Sequence, residues 1–144
     1  MSNTPANTTS TAAPARYFEI TQKFFFDAAH TLKRATATGP VEAESSRRIH
    51  GHTYHAELTL AGAPDAATGM VVDLGLVRMA IAELRPQLDH HLLDEVPGLG
   101  PATLENLCAF IWRAMDTRLP QLTQVRVWRE ALGDGCTLRR GPAA

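Results

Sequence analysis

The sequence predicts an α+β fold, an antiparallel four-stranded sheet with two helices on one face, in the order ββααββ. Three observations carry this. From Tyr17 to His30 the chain is rich in aromatic and β-branched residues, and Ala56, Leu58 and Leu60 then alternate with Glu57 and Thr59, as in two strands. Between positions 74 and 115 apolar residues recur instead at spacings of three and four, the helical period. Period two returns afterwards, where Val125 and Val127 alternate with Arg126 and Trp128.

Residues 1–16, rich in Ser, Thr, Asn, Ala and Pro, read as a disordered tail, because ordering them would bury little. The single domain is expected over 17–141. Its first strand covers 17–30, and residues 33–46, broken by Gly39-Pro40, read as an exposed loop. A second strand runs from His50 to Ala61, and 62–68 is a turn. Asp73 caps a helix over 74–87, whose face carries Val77, Ile81, Leu84 and Leu88 and which Pro86 ends or bends. After the Pro/Gly-rich stretch 96–102, Thr103 caps a second helix, with Glu105 suited to its positive end. Leu104, Leu107, Ile111 and Met115 form its stripe. Strands at 123–131 and 135–139 close the chain, joined through Gly133-Asp134-Gly135.

The chain has 144 residues, 44% of them hydrophobic and 20% charged, which suits one domain with a modest core. A formal net charge of −1 removes the electrostatic case for nucleic acid or an anionic membrane. No apolar run approaches the roughly 20 residues of a membrane span, and the N-terminus lacks the pattern of a secretory signal. Cys108 and Cys136 are far apart, which argues against a disulfide scaffold and fits a reducing cytoplasm. The sheet face away from the helices carries Trp128 beside Arg126 and Glu130, and four strands leave two open edges, so a homo-oligomer is expected.

The six histidines fall in three places: His30; His50, His52 and His55; His90 and His91. On a strand, His50 and His52 point to one side, where two imidazoles reach one metal ion, and Gly51 leaves room between them. His30, ending the preceding strand, is placed to add a third nitrogen. Three neutral nitrogens with a fourth position open describe a catalytic zinc rather than a structural one, although iron and other divalent ions accept the same donors. His55 faces the other way. Asp89 beside His90 is suited to holding an imidazole in one tautomer for proton transfer. Glu130, read on the strand face of Trp128 and Arg126, is a carboxylate able to accept two N–H groups from a planar heterocycle.

Taken together, FDAAH (26–30), HGHTY (50–54), GMVVDL (69–74), LDHHLLDEVPGL (88–99), TLENLCAFIW (103–112) and WREALGDGCT (128–137) resemble the 6-pyruvoyl-tetrahydropterin synthase family, above all its bacterial 6-carboxytetrahydropterin synthase branch. The resemblance implies the tunnelling fold, in which ββααββ subunits form an oligomeric β-barrel, commonly a hexamer with active sites between subunits. It implies Zn2+ on His30, His50 and His52, a catalytic Asp89–His90 pair, and a pterin substrate held by Glu130, Thr103 and Glu105. The implied reaction converts 7,8-dihydroneopterin triphosphate to 6-carboxy-5,6,7,8-tetrahydropterin, on the route to queuosine, with loss of acetaldehyde and triphosphate. One departure stands out. The family's base cysteine, four residues before HGH, is Ser46 here. A hydroxyl is a poor base unless a neighbour activates it. Side-chain cleavage to 6-hydroxymethyl-dihydropterin with Glu44 or the Asp–His pair, 6-pyruvoyl-tetrahydropterin formation, and a non-catalytic pterin-binding oligomer therefore stay open.

Overall fold

The computed structural model describes residues 16–34 and 39–141. The expected tail 1–16 lies outside the described residues except for Arg16. The elements run β1 (Phe18–His30), α1 (Pro40–Arg47), β2 (His50–Gly62), α2 (Leu74–Leu84), α3 (Leu104–Met115), β3 (Leu122–Arg129) and β4 (Asp134–Arg139), with 3-10 turns at Arg85–Gln87 and Leu93–Glu95. The strands form one antiparallel sheet in the order β1-β2-β3-β4. One face carries Phe26, Tyr54, Leu58, Val125 and Val127, which pack with Val77, Leu84, Leu107 and Ile111 of the helices into a single core.

Both predicted helices form for the expected reasons. Asp73 accepts from Gly75 N at 2.7 Å and starts α2, while Thr103 Oγ1 accepts from Asn106 N at 3.2 Å and starts α3. Pro86 has no N–H to continue the ladder, so α2 stops at Leu84 and tightens into a 3-10 turn. The remaining apolar position of the predicted stripe, Leu88, is fully buried just beyond it.

Strand ends shift by a residue or two throughout, and three departures from expectation stand out. The segment read as an exposed loop contains a third helix, α1, with Ala43 and Ser46 buried on its inner side. Gly39-Pro40 looked like a breaker, but proline at the first helical position loses no hydrogen bond and is preset for the helix. Because the inward face consists of small residues, no apolar period announces it. Second, β3 ends at Arg129, since the chain turns through 130–133 with Gly133 at φ 72°, so Glu130 sits in a turn rather than on the strand. Third, β4 starts one residue early, at Asp134.

The face away from the helices carries an aromatic group. His55 stacks on Trp128 with ring centroids 5.4 Å apart, Arg126 lies 4.7 Å over the same indole, and Phe25 is 49% exposed. The sheet is open, with β1 and β4 as its edges.

Candidate functional site

The register of the first hairpin builds the site. His30 lies directly opposite His50, and Ala28 opposite His52, so all three imidazoles emerge on the core side at one end of the sheet. Their ring nitrogens converge: His30 Nε2 is 3.0 Å from His50 Nε2 and 3.1 Å from His52 Nε2. Two zinc–nitrogen bonds at a tetrahedral angle hold their nitrogens about 3.3 Å apart, close to this spacing. His30 Nδ1 lies 3.1 Å from Ala102 O, and His50 Nδ1 lies 2.8 Å from Arg48 O. A carbonyl only accepts, so both Nδ1 atoms carry the proton and donate, and both Nε2 atoms present a lone pair to the cluster. Lone pairs facing one another repel unless a cation lies between them. The donor set thus fits a divalent metal ion. The two carbonyls sit at the start of α3 and the end of α1, and this is how the helices orient the ligands.

Gly51 is not sterically required between the histidines, because an added Cβ would meet Ala28 O at an ordinary 3.5 Å. His55 points away, as expected.

Electrostatics favour the neutral form of His30 and His52. Burial, followed by the Arg129 guanidinium and the other imidazoles, pushes His52 down to about 4. Burial also lowers His30, with His50 and Arg129 acting in the same direction. Unfolded imidazoles bind protons near pH 6.5, whereas native His52 stays unprotonated until about 4. Acid therefore favours the unfolded chain. The metal-free protein is expected to keep this stability above about pH 6.5 and to lose it as pH falls toward 4. Urea unfolding at pH 7 and pH 5, in wild type and His52→Gln, checks this. A pH slope no flatter in the variant would contradict it.

Arg129 is the main residue that the sequence reading missed. Its Nη1 lies 3.3 Å from His52 Nε2, and its Nε and Nη2 hold Asp134 at 2.9 and 2.6 Å. The signal was available: continuing the alternation of Val125 and Val127 puts Arg129 on the core side. Tyr54, two residues past His52, is also aimed here, and burial pushes its hydroxyl up to about 12. Arg34 and Glu42, 3.2 Å apart, had no such signal.

A cavity of about 340 Å3 opens beside His30 and is lined by Tyr54, Arg129, Thr103 and Glu105, so two of the expected substrate contacts stand next to the cluster. A second, about 220 Å3, holds the three imidazoles together with Ser46 and Glu42. Ser46 Oγ donates to Glu42 O at 2.8 Å, whereas Glu44 is exposed and pairs with Arg48 at 3.4 Å. Asp89 and His90 form the expected pair, with His90 Nδ1 2.9 Å from Asp89 Oδ2. Asp89 is held by Asp27 N–H at 2.9 Å and by Arg85 at 3.2 Å, and the first of these chiefly lowers its pKa. His90 takes a left-handed φ of 60° and is exposed; it shares a third cavity, about 510 Å3, with His52 and Thr53. Glu130 lines none of these three cavities. It is exposed, and its Oε2 accepts from Trp128 Nε1 at 2.9 Å.

The sequence profile of the 6-pyruvoyl tetrahydropterin synthase family matches residues 19–141. The chain belongs to this family. It is 30% identical over 114 residues to the 6-carboxy-5,6,7,8-tetrahydropterin synthase of Synechocystis, covering 75% of this chain and 83% of that one. It is 41% identical over 75 residues to the 6-pyruvoyl tetrahydrobiopterin synthase of Poecilia reticulata, covering 49% of this chain and about half (51%) of the fish protein's length. The structure of the Caenorhabditis elegans 6-pyruvoyl tetrahydropterin synthase matches the fold with a TM-score of 0.73 at 20% identity, over 88% of this chain and 97% of that one. Among the described residues, no helix is long and apolar enough to cross a membrane.

Proposed function

We propose that the protein is a zinc-dependent lyase converting 7,8-dihydroneopterin triphosphate to 6-carboxy-5,6,7,8-tetrahydropterin. The observation that carries this reading is the convergence of three lone-pair-bearing Nε2 atoms beside a cavity lined by Thr103 and Glu105. His30, His50 and His52 would hold Zn2+, which when bound polarises a substrate oxygen and makes the neighbouring C–H and O–H protons easier to remove. Asp89 keeps the His90 ring turned so that His90 Nε2 takes up and returns a proton. Ser46, its own proton committed to Glu42 O, is the weak member of the set. That commitment favours, as a second reading, side-chain cleavage to 6-hydroxymethyl-dihydropterin.

In this proposal Glu130 anchors the N–H edge of the pterin. Trp128 occupies one carboxylate oxygen and sets its plane, and the other oxygen stays available. Glu130→Ala is expected to weaken pterin binding by about 1.5 kcal/mol or more, the loss of a charge-assisted pair. Fluorescence titration measures it, and unchanged affinity would remove Glu130 from the site. Copies of the chain would cover the open edges and the Phe25–Trp128 face by assembling as a homo-oligomer, a hexamer in our reading, working in the cytoplasm on the route to queuosine. The domain would comprise residues 17–141.

The deciding experiment gives the zinc-loaded protein 7,8-dihydroneopterin triphosphate and identifies the product by mass. Carboxytetrahydropterin is expected. Hydroxymethyl-dihydropterin or pyruvoyl-tetrahydropterin would replace the reaction, and binding without turnover would refute the enzyme reading.

A further inference from the structure

The chain has two cysteines, Cys108 and Cys136, 28 residues apart, and the chemistry above uses neither. The fold brings them together. Cys108 lies in the second turn of α3 and is fully buried. Cys136 is the third residue of β4, opposite Val127 of β3, and is partly exposed. Both belong to the one core, Cys108 inside it and Cys136 packed against it. Cys108 Sγ donates to the backbone carbonyl oxygen of Cys136 at 3.4 Å. That contact leaves the two backbones only a side chain apart, the closeness that the short span of a disulfide demands. The long separation in sequence, which argues against a disulfide scaffold, therefore does not hold in space.

The two thiols differ in reach. β4 is an edge strand, so the partly exposed Cys136 is the one a small molecule meets first. Burial, and then the neighbouring Cys136 thiol, push Cys108 up to about 12, so it does not start an exchange reaction. Once Cys136 has become a mixed disulfide, Cys108 is already beside it. Its thiolate is rare but strongly nucleophilic, and a neighbour fixed in the fold acts at a high effective concentration. An accessible thiol that attacks and a buried thiol that resolves are the two parts that disulfide formation needs.

We propose that Cys108 and Cys136 form an oxidation-dependent disulfide that staples α3 to the edge strand β4, made by exchange with a small-molecule disulfide. The Cys136 thiolate attacks one sulfur of that disulfide, forms a mixed disulfide and releases one small thiolate, which takes up a proton. Cys108 then gives up its proton, attacks the Cys136 sulfur and expels the second small thiolate, which is protonated in turn. Two electrons pass to the oxidant: two protein thiols become one disulfide, and one small disulfide becomes two thiols. In a reducing compartment the pair rests as free thiols, so the bond responds to oxidation. It closes a loop that contains β3 with Arg129 and the turn of Glu130, and closing a loop stabilises the fold by restricting the unfolded chain. The staple is independent of the proposed reaction.

The test incubates the full-length protein, without denaturant, in graded mixtures of reduced and oxidised glutathione, and maps non-reduced peptides by mass. Wild type is expected to lose both free thiols and to show a Cys108–Cys136 cross-link within one chain. Cys108→Ala is expected to stop at a mixed disulfide on Cys136 and to need about tenfold or more oxidised glutathione for half conversion, since no neighbour resolves it. Cys136→Ala is expected to stay unmodified. The cross-linked protein should melt about 5 °C or more higher, and reductant should reverse the shift. Circular dichroism reports folding; if Cys108→Ala does not fold, the wild-type map and Cys136→Ala decide the matter. A mixed disulfide that persists on wild-type Cys136, a cross-link only between copies, or no reaction overturns the staple. A cross-link that lowers the melting midpoint also overturns it, because the thiols would then have to leave their native places to meet.

Discussion

Replacing His50 with alanine is expected to strip the protein of nearly all its bound metal. With three protein ligands, loss of one leaves two imidazoles, and the Arg48 carbonyl that oriented the third loses its donor. Loss of a second-shell partner costs about 10–100-fold in metal affinity, and loss of a ligand exceeds that. Elemental analysis after dialysis against a weak chelator measures it, with circular dichroism confirming the fold. His55→Ala is the matched control. It removes an imidazole from the same strand, but one that faces away and stacks on Trp128, so metal content should hold. Full occupancy in His50→Ala would break the ligand assignment and the proposed chemistry together. Turnover should fall with the metal, because the proposed reaction draws its polarising charge from that ion.

How much of this centre was legible differs residue by residue. His50 and His52 follow from period two alone, since any strand puts them on one side. His30 needs the register of β1 against β2, and their connection passes through α1, whose small inward residues carry no helical period. The place of His30 at the end of the preceding strand suggested the third ligand, and only the register, His30 opposite His50, fixes the contact. Glu130 shows the opposite error. Alternation was carried one residue beyond the real strand end, into a turn that Gly133 permits with its positive φ. The same alternation, applied with more care one position earlier, identifies Arg129 as a core-side group. The contact of Arg34 with Glu42 had no sequence signal, since it depends on how α1 folds back over the cluster. The Asp89–His90 pair was legible as neighbours. The Asp27 N–H and Arg85 contacts that fix it come from elements far away in the chain.

The Ser46→Cys variant is expected to raise turnover about 100-fold or more, the scale on which a competent general base acts. Ser46 lies on the buried side of α1 and lines the cavity of the three imidazoles, where the proposed reaction would need a base. Its hydroxyl spends its proton on Glu42 O at 2.8 Å. A thiol is a weak donor to a carbonyl, so the sulfur is freer to turn toward the cavity, and its ordinary pKa is about 8.5. Arg34 and Arg129 border that cavity and favour the thiolate, as a metal ion would. The acid limb of the pH–rate profile, set by the thiol losing its proton, should therefore lie below about 8.5. Iodoacetamide kinetics give the thiol's own pKa, and the buried Cys108, pushed up to about 12, does not compete. If the new thiol ionises in that range while turnover stays at the wild-type level, the proton is being taken elsewhere. Glu42, which lines the same cavity and pairs with Arg34, is then the group to replace, and Glu42→Gln should abolish the activity that Ser46→Cys failed to change.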